Sequence, residues 1–359
     1  MGNEVKKETN LAYGGQALIE GIMMRGKEGY AFTIKKQDGT FHKEKHDYVA
    51  LGKRIKFFGL PFIRGISGFF ENMFIGIKVL NKSAEIAFPE ENNQKTSNFT
   101  MFVTFGLAMV IAMGIFVALP YFLTQVFGIV HNKEPFMYNL IAGVIRMLFF
   151  FMYLILISFM KDTKRLFGYH GAEHKTIHTY ESDKDLTVEN VKTYSRLHPR
   201  CGTSFLFIVF LITIVVFPFI NEFFIRQTWY QLLSNYGKIG DALQKLVIIA
   251  SHILIGMPIV SSISYEILKL SGKFYKNFLV KIFIAPGLFF QLFTTREPEE
   301  DMIKVGIISL NMVLGKEDAD VPRAVSDTDI LPKKASVVLS TLLFLPFLFL
   351  NFLFDFNEE

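Results

Sequence analysis

Five stretches of this chain, at about 99–127, 138–160, 204–225, 246–268 and 335–354, are almost uninterruptedly apolar. At about 1.5 Å per residue, a run of roughly 20 such residues crosses a hydrocarbon core about 30 Å thick. Backbone N–H and C=O groups find no water there, so the runs must be helices that satisfy their own hydrogen bonds. The composition agrees, since 51% of the 359 residues are hydrophobic and 40 are Phe, more than one soluble core can bury. The first run is the longest and can tilt or break near Pro120. The last has Pro346 in its middle and is barely long enough. The sequence predicts a mainly α, polytopic helical membrane protein with four or five spans, a small β-rich cytoplasmic N-terminal part and interfacial helices.

Charge predicts orientation. Residues 1–98, 161–203 and 269–334 together carry 33 Lys and Arg, against 4 in the alternate connections 128–137 and 226–245. The positive-inside rule therefore places the N-terminus and the large polar segments in the cytoplasm of a multi-pass cell-membrane protein. The net charge of +5 is explained by a basic surface against anionic lipid, so the bilayer is the implied partner, and no nucleic-acid motif is present. The polar start MGNEVKKETN lacks the apolar core of a signal peptide, and Lys6 stands where a myristoylation signal has Ser or Thr. A lone cysteine, Cys201, rules out an internal disulfide framework and fits a reducing compartment.

The chain divides as follows. Residues 1–54 read as a β-rich region, with alternating residues on either side of the turn pair Asp38-Gly39. There Glu20 and Arg25 are either paired structural charges or, for Glu20, a site carboxylate. Residues 55–98 read as an interfacial helix and linker, because Arg64, Glu71 and Lys78 recur every seven residues on one face. Spans 1 and 2 occupy 99–160, and spans 3 and 4 occupy 204–268, flanking a His/Cys segment at 161–203. Residues 269–334 hold an apolar stretch at 278–293, expected to turn back at Pro286-Gly287, then a helix capped by Thr294 or Thr295 with a solvated acidic start, "REPEED". The possible fifth span and an acidic tail fill 335–359. His252, inside the fourth span, is expected to hydrogen-bond a neighbouring helix, and Arg146 to snorkel.

The chemistry concentrates in "YHGAEHKTIHTYE", residues 169–181. On a helix, His170, His174, His178 and Glu181 fall within about 80° of one another at roughly 100° per residue. His170, Glu173 and His174 form His-x-x-Glu-His, the inverted zincin order, in which two imidazoles hold zinc and the carboxylate activates water. His170 and His178 lie roughly 12 Å apart along a helix, so one ion cannot take both unless the helix breaks, with Gly171 as the candidate break. The third ligand is sought in "LHPRCGTS", where His198 and Cys201 stand three apart. Metal binding, a polar loop without a ligand, and Cys-His catalysis all remain open on spacing alone. His42, His46, His131 and His252 show no comparable clustering.

Four blocks, "GGQALIEGIMMRG", "YHGAEHKTIHTYE", "SRLHPRCGTSFL" and "APGLFFQLFTTREPEEDM", resemble the YqhQ-like family of bacterial membrane proteins, over about residues 11–312. That family is a domain of unknown function described as predicted metal-dependent enzymes. The resemblance implies a metal site drawn from His170, Glu173, His174, His178, His198 and Cys201. Two functions are expected to compete. One is a zinc-dependent hydrolase at the cytoplasmic membrane interface, with Glu173 as general base, acting on a lipid-linked or membrane-bound substrate. The other is a non-enzymatic scaffold or assembly factor that holds membrane-protein partners and whose His cluster is structural.

Overall fold

The structure is a computed structural model and describes residues 13–89, 103, 106–108, 110–112, 114–129, 135–199, 201–274, 277–316 and 323–324. The expected fifth span at 335–354 lies outside the described residues. In chain order the strands are β1 (Gly14–Leu18), β2 (Gly21–Arg25), β3 (Gly29–Lys35), β4 (Phe41–Asp47) and the two-residue β5 (Arg323–Ala324). The principal helices are α1 (Ile63–Ala87), α2 (Gly106–Val126), α3 (Pro135–Ile157), α4 (Lys161–Glu181), α5 (Val188–Lys192) and α6 (Gly202–Ile225). They continue with α7 (Gly237–Ser251), α8 (Met257–Lys273), α9 (Phe278–Thr294) and α10 (Glu300–Leu314).

β1 to β4 form an antiparallel meander, with β5 parallel to β4 at one edge. The β3–β4 turn is the predicted one: Gly39 takes φ +82°, and the Asp38 carboxylate accepts from the Thr40 backbone N–H at 2.8 Å. Helices cover both faces of the sheet. Strand periodicity sends Ile22 and Met24 into a core with Tyr169 and Ala172 of α4 and Ile303 and Leu310 of α10. It sends Met23, Phe32 and Ile34 into a second core with Ile75 and Val79 of α1. This explains why all of Gly21–Met24 is buried, a pattern with no polar face. Each fully buried Ile or Leu contributes about 1.5–3 kcal/mol, so the two cores hold the extramembrane part together.

The polar face of α1 is used in contacts with the rest of the chain. Arg64 makes a two-pronged pair with Glu266 of α8, at 2.8 and 2.7 Å. Glu71 accepts from Tyr48 Oη at 2.6 Å and from the Leu51 N–H. Lys82 donates to Glu44 of β4 at 2.7 Å. Burial works against the Glu44 carboxylate, but hydrogen bonds from His46, Lys82 and His42 overcome it and bring its pKa down to about 2. A depressed carboxylate stabilises the fold above its unfolded value, near 4.3, and that stability disappears as pH falls through about 2. Glu44→Gln is therefore expected to cost about 1–2 kcal/mol at pH 7, after allowance for solvent screening, and almost nothing near pH 2. Thermal melts of both proteins across that window check the sign. An equal penalty at both ends would remove the ionic explanation.

Four helical stretches are long and apolar enough to cross a membrane: Gly106–Val126, Phe136–Ile157, Ser204–Ile225 and Thr228–Ser271. With them the chain fits a multi-pass membrane protein. α6 lies centrally, packed on α3, α8 and α9. Gly287 of α9 allows the closest approach, since a Cβ there would lie 2.8 Å from Ser204 Oγ. Several expectations are corrected here. The connection 226–245 is largely helical, and α7 leads through a π turn at His252–Gly256 into α8. Residues 278–293 do not turn back at Pro286-Gly287, because α9 runs through Pro286 to Thr294. Thr294 and Thr295 are buried at the end of α9 and do not cap α10, whose N-cap is Glu299 without a side-chain bond. The acidic start of α10 is solvated as expected, its exposed carboxylates also pairing with lysines: Glu297 with Lys175, Glu300 with Lys192 and Asp301 with Lys35. His252 bonds Asn221 of α6 at 2.7 Å, as expected of a polar residue between helices. Arg146 donates to the Phe116 carbonyl at 3.0 Å instead of reaching for an interface.

Candidate metal centre

The histidine segment is neither a loop nor a broken helix. α4 runs unbroken from Lys161 to Glu181 and buries Phe167–Gly168–Tyr169 and Gly171–Ile177 between the sheet and α10. Its small residues are docking points. A Cβ on Gly168 would lie 2.7 Å from Met302 Sδ, and one on Gly171 would lie 2.0 Å from the Arg296 carbonyl oxygen. Gly171 thus lets the strap 294–296 lie against the helix, where the Arg296 N–H donates to the Phe167 carbonyl at 2.8 Å. At the other end of the helix face, Arg165 pairs with Glu20, and Tyr169 Oη donates to Glu20 at 3.1 Å. Glu20 and Arg25 are therefore paired structural charges, Arg25 lying 3.7 Å from Glu71 and bonding Asn72.

One turn of helix brings His170 and His174 side by side, ring centroids 4.4 Å apart. Cys201, immediately before α6, completes a group whose three ligand atoms all lie within 4.8 Å of one another. His170 Nε2 is 3.1 Å from Cys201 Sγ. A tetrahedral zinc with bonds of about 2.0–2.3 Å holds its ligand atoms roughly 3.3–3.8 Å apart, so small shifts would suffice. The second shell points the same way. His170 Nδ1 bonds the Thr294 carbonyl at 2.8 Å, and His174 Nδ1 bonds the Arg196 carbonyl. A carbonyl can only accept, so each Nδ1 carries a proton and each Nε2 is turned toward the group; at His170 that Nε2 lies against Cys201 Sγ, where a metal would take the place of the shared proton. His174 Nε2 is buried and makes no hydrogen bond among the described residues, which is costly unless something else occupies it. The residues fit a transition metal.

Electrostatics add to this. Burial alone would lower the His170 pKa, but the charge and hydrogen bond of Cys201, with Glu173 nearby, raise it to about 9. Burial alone would raise the thiol of Cys201, but the charges and hydrogen bonds of His170 and His174 hold it well below its usual range, which favours the thiolate, the form that binds metal. Glu173 lies on the same side, its Oε2 4.0 Å from His170 Nε2 and 3.7 Å from His174 Nε2. Burial raises its pKa, and the two histidines and a hydrogen bond from the Gly15 N–H partly oppose that. Gly15 must be glycine: a Cβ would lie 2.6 Å from Glu173 Cγ. The group opens onto a cavity of about 370 Å³ between β1, α4 and the start of α6, which Glu173, His170, His174 and Cys201 all line.

The other candidate ligands go elsewhere. The eight-residue spacing carries His178 away from His170, and its ring sits 4.5 Å from that of His198. His178 Nδ1 bonds the Ser195 carbonyl at 3.0 Å, and His198 Nε2 lies 3.4 Å from Glu181. Burial, with the charge of His174 adding to it, lowers His198 to about 3, so it lines the cavity as a neutral ring. The sequence reading missed the supports. Gln291, fully buried on α9, accepts from the His198 N–H at 2.7 Å and donates to the His198 carbonyl and to Ser204 Oγ, fixing the segment that carries Cys201. Its only sequence signal is an amide within the apolar run 278–293.

Helical spans, a small covered sheet and an enclosed His/His/Cys group beside a carboxylate define a membrane protein with a metal-site geometry at the edge of its bundle. Residues 60–316 match the family described as "Protein of unknown function (DUF1385)", and the chain belongs to it. It is also 33% identical over 327 residues to "Uncharacterized protein YqhQ" of Bacillus subtilis (strain 168), covering 85% of this chain and 93% of that protein. The family resemblance read from the four sequence blocks therefore holds. No solved structure matches the chain.

Proposed function

We propose that His170, His174 and Cys201 bind one zinc ion and that the protein is a metal-dependent hydrolase working at the cytoplasmic face of the membrane. The observation that carries the reading is the pair of Nε2 atoms, aimed by two backbone carbonyls, converging with Cys201 Sγ in a cavity that also holds Glu173. Two imidazoles and a thiolate suit zinc and not magnesium, which takes oxygen ligands. Three protein ligands leave a fourth position open, as catalytic zinc sites do. When bound, the ion supplies Lewis acidity toward water and toward a carbonyl or phosphoryl oxygen. Glu173 accepts the proton of the attacking water. Its burial favours the protonated product of that step, and Gly15 N–H keeps the carboxylate oriented. His198, neutral and buried, borders the cavity and offers a hydrogen-bonding edge to substrate.

The orientation belongs to the same proposal. The asymmetry of 33 basic residues to 4 supports a cytoplasmic position for the sheet, α4 and the cavity, and with it a membrane-linked substrate. A scaffold whose histidines are only structural needs no cavity at them, so the open space beside Glu173 favours the enzyme. Glu173→Gln is expected to keep bound zinc and to lose about 10²–10⁴ in turnover, the usual contribution of a positioned general base. The assay is hydrolysis of a panel of esters, amides and phosphodiesters by the zinc-loaded full chain in detergent. Unimpaired turnover by Glu173→Gln would remove the carboxylate from the chemistry.

A further inference from the structure

Among the described residues β1 ends the sheet on the side of the cavity, pairing only with β2. In an antiparallel ladder, residues alternate between those bonded to the partner strand and those whose N–H and C=O point away from it. The Gly15 N–H reaches Glu173, and the Ile19 N–H donates to Ser83 Oγ at 3.1 Å, so the odd-numbered positions point outward. Ala17 shares that parity. Its N–H and C=O face away from β2, and no hydrogen bond to either is found among the described residues. The backbone of Gly14–Ala17 lines the cavity, and beyond Gly14 there is open space. One wall of the candidate metal centre is thus a strand edge that pairs with no further strand among the described residues and offers the Ala17 N–H and the Gly15 and Ala17 carbonyls. Leu166, Phe167 and Leu206 add apolar surface to the lining.

We infer that the substrate is an extended polypeptide segment that adds to β1 as a further strand, its backbone bonded to the Gly15 carbonyl and to the N–H and carbonyl of Ala17, and its scissile carbonyl beside Glu173 and the His/His/Cys group. This rests on the hydrolase reading above. Groups at Gly15 and Ala17 repeat about every 6.6 Å, the two-residue period of an extended chain, and a lipid tail or sugar has no matching row of N–H and C=O groups. The reaction is amide hydrolysis: water adds across the C–N bond, its oxygen joining the carbonyl carbon and its proton passing by way of Glu173 to the leaving amine. The leaving nitrogen departs as a free amino terminus.

The test offers zinc-loaded full chain a proteome-derived peptide mixture, reads cleavage by mass spectrometry, and runs vesicles of phosphatidylethanolamine and phosphatidylglycerol and a p-nitrophenyl ester in parallel. Peptide cleavage is expected. Ala17→Pro removes the outward N–H without touching the β2 ladder, since proline is tolerated on an edge strand whose N–H faces outward. It should keep bound zinc and lose at least tenfold in peptide cleavage. A second measurement is independent of any variant: a cleaved peptide N-methylated at alternate residues should resist cleavage in one methylation register and not in the other. Peptide cleavage unchanged by both Ala17→Pro and N-methylation overturns strand addition. Hydrolysis of lipid or ester without peptide cleavage overturns the substrate class and leaves the hydrolase standing. Absence of zinc uptake and of all hydrolysis overturns the hydrolase reading itself, and this inference with it.

Discussion

Purified with zinc and without chelator, the chain is expected to carry about one ion, and His170→Ala, His174→Ala and Cys201→Ala each to lose most of it. The three ligand atoms already lie within 4.8 Å of one another, so removing any one leaves two protein ligands and weakens binding by well over tenfold. His178→Ala should keep the ion, because its ring packs on His198 and its Nδ1 on the Ser195 carbonyl, away from the group. Elemental analysis of the five proteins decides. Chelation should also lower the melting temperature, since a ligand bound only by the folded state stabilises it by mass action. Metal retained by His170→Ala but lost by Cys201→Ala would discard the inverted zincin pair and move the site toward α6. Wild-type protein that takes up no zinc would return His170 and His174 to a purely structural role.

The second large effect is expected from Gly171→Ala. Helix propensity alone predicts stabilisation by about 1 kcal/mol, because glycine is the poorer helix former. Packing predicts the opposite. The new methyl would fall 2.0 Å from the Arg296 carbonyl oxygen, a backbone atom that cannot rotate away. Either α4 or the strap 294–296 must move, and with it the bonds from His170 to Thr294 and from Arg296 to Phe167. The expected cost is about 3 kcal/mol, the upper part of the usual overpacking range, together with a loss of about 10–100-fold in metal affinity from the disturbed second shell. Denaturant melts and zinc titration read the two effects separately. A variant as stable as the wild type would show that the strap is free to shift.

The parts of this fold that a reader of the sequence could find were those governed by periodicity. Apolar runs of membrane length, the alternation around Asp38-Gly39 and the one-turn spacing of His170 and His174 all carry through to the structure. Cys201 was legible as one candidate, beside His178 and His198, for the third member of the group, and it is the one that lies with His170 and His174. What misled was punctuation. Pro286-Gly287 read as a turn, yet a helix flanked by other helices tolerates Pro286, and Gly287 is there to admit Ser204. Gly171 read as a break for the same reason and proved to be a contact. Thr294 and Thr295 read as a cap, although their oxygens bond back into α9. The anchors of the histidines were not legible at all, because Thr294 and Arg196 serve them through backbone carbonyls, which every residue type has.

The sheet has a consequence for biosynthesis. β1 to β4 leave the ribosome long before the helix that seals one face of them: Ser309 of α10 donates to the Ile22 carbonyl across 287 residues, and Lys35 pairs with Asp301 across 266. At roughly 5–20 residues per second, the nascent chain waits about 15 to 60 seconds between the two. Throughout that interval Ile22 and Met24 lack α10, while the spans between are being inserted. The carbonyl of Thr294 that aligns His170 arrives equally late, so a chain stalled before α9 is complete has the ligands but not their alignment. Maturation of this protein is therefore a closing step, in which α10 returns to cover strands made long before it.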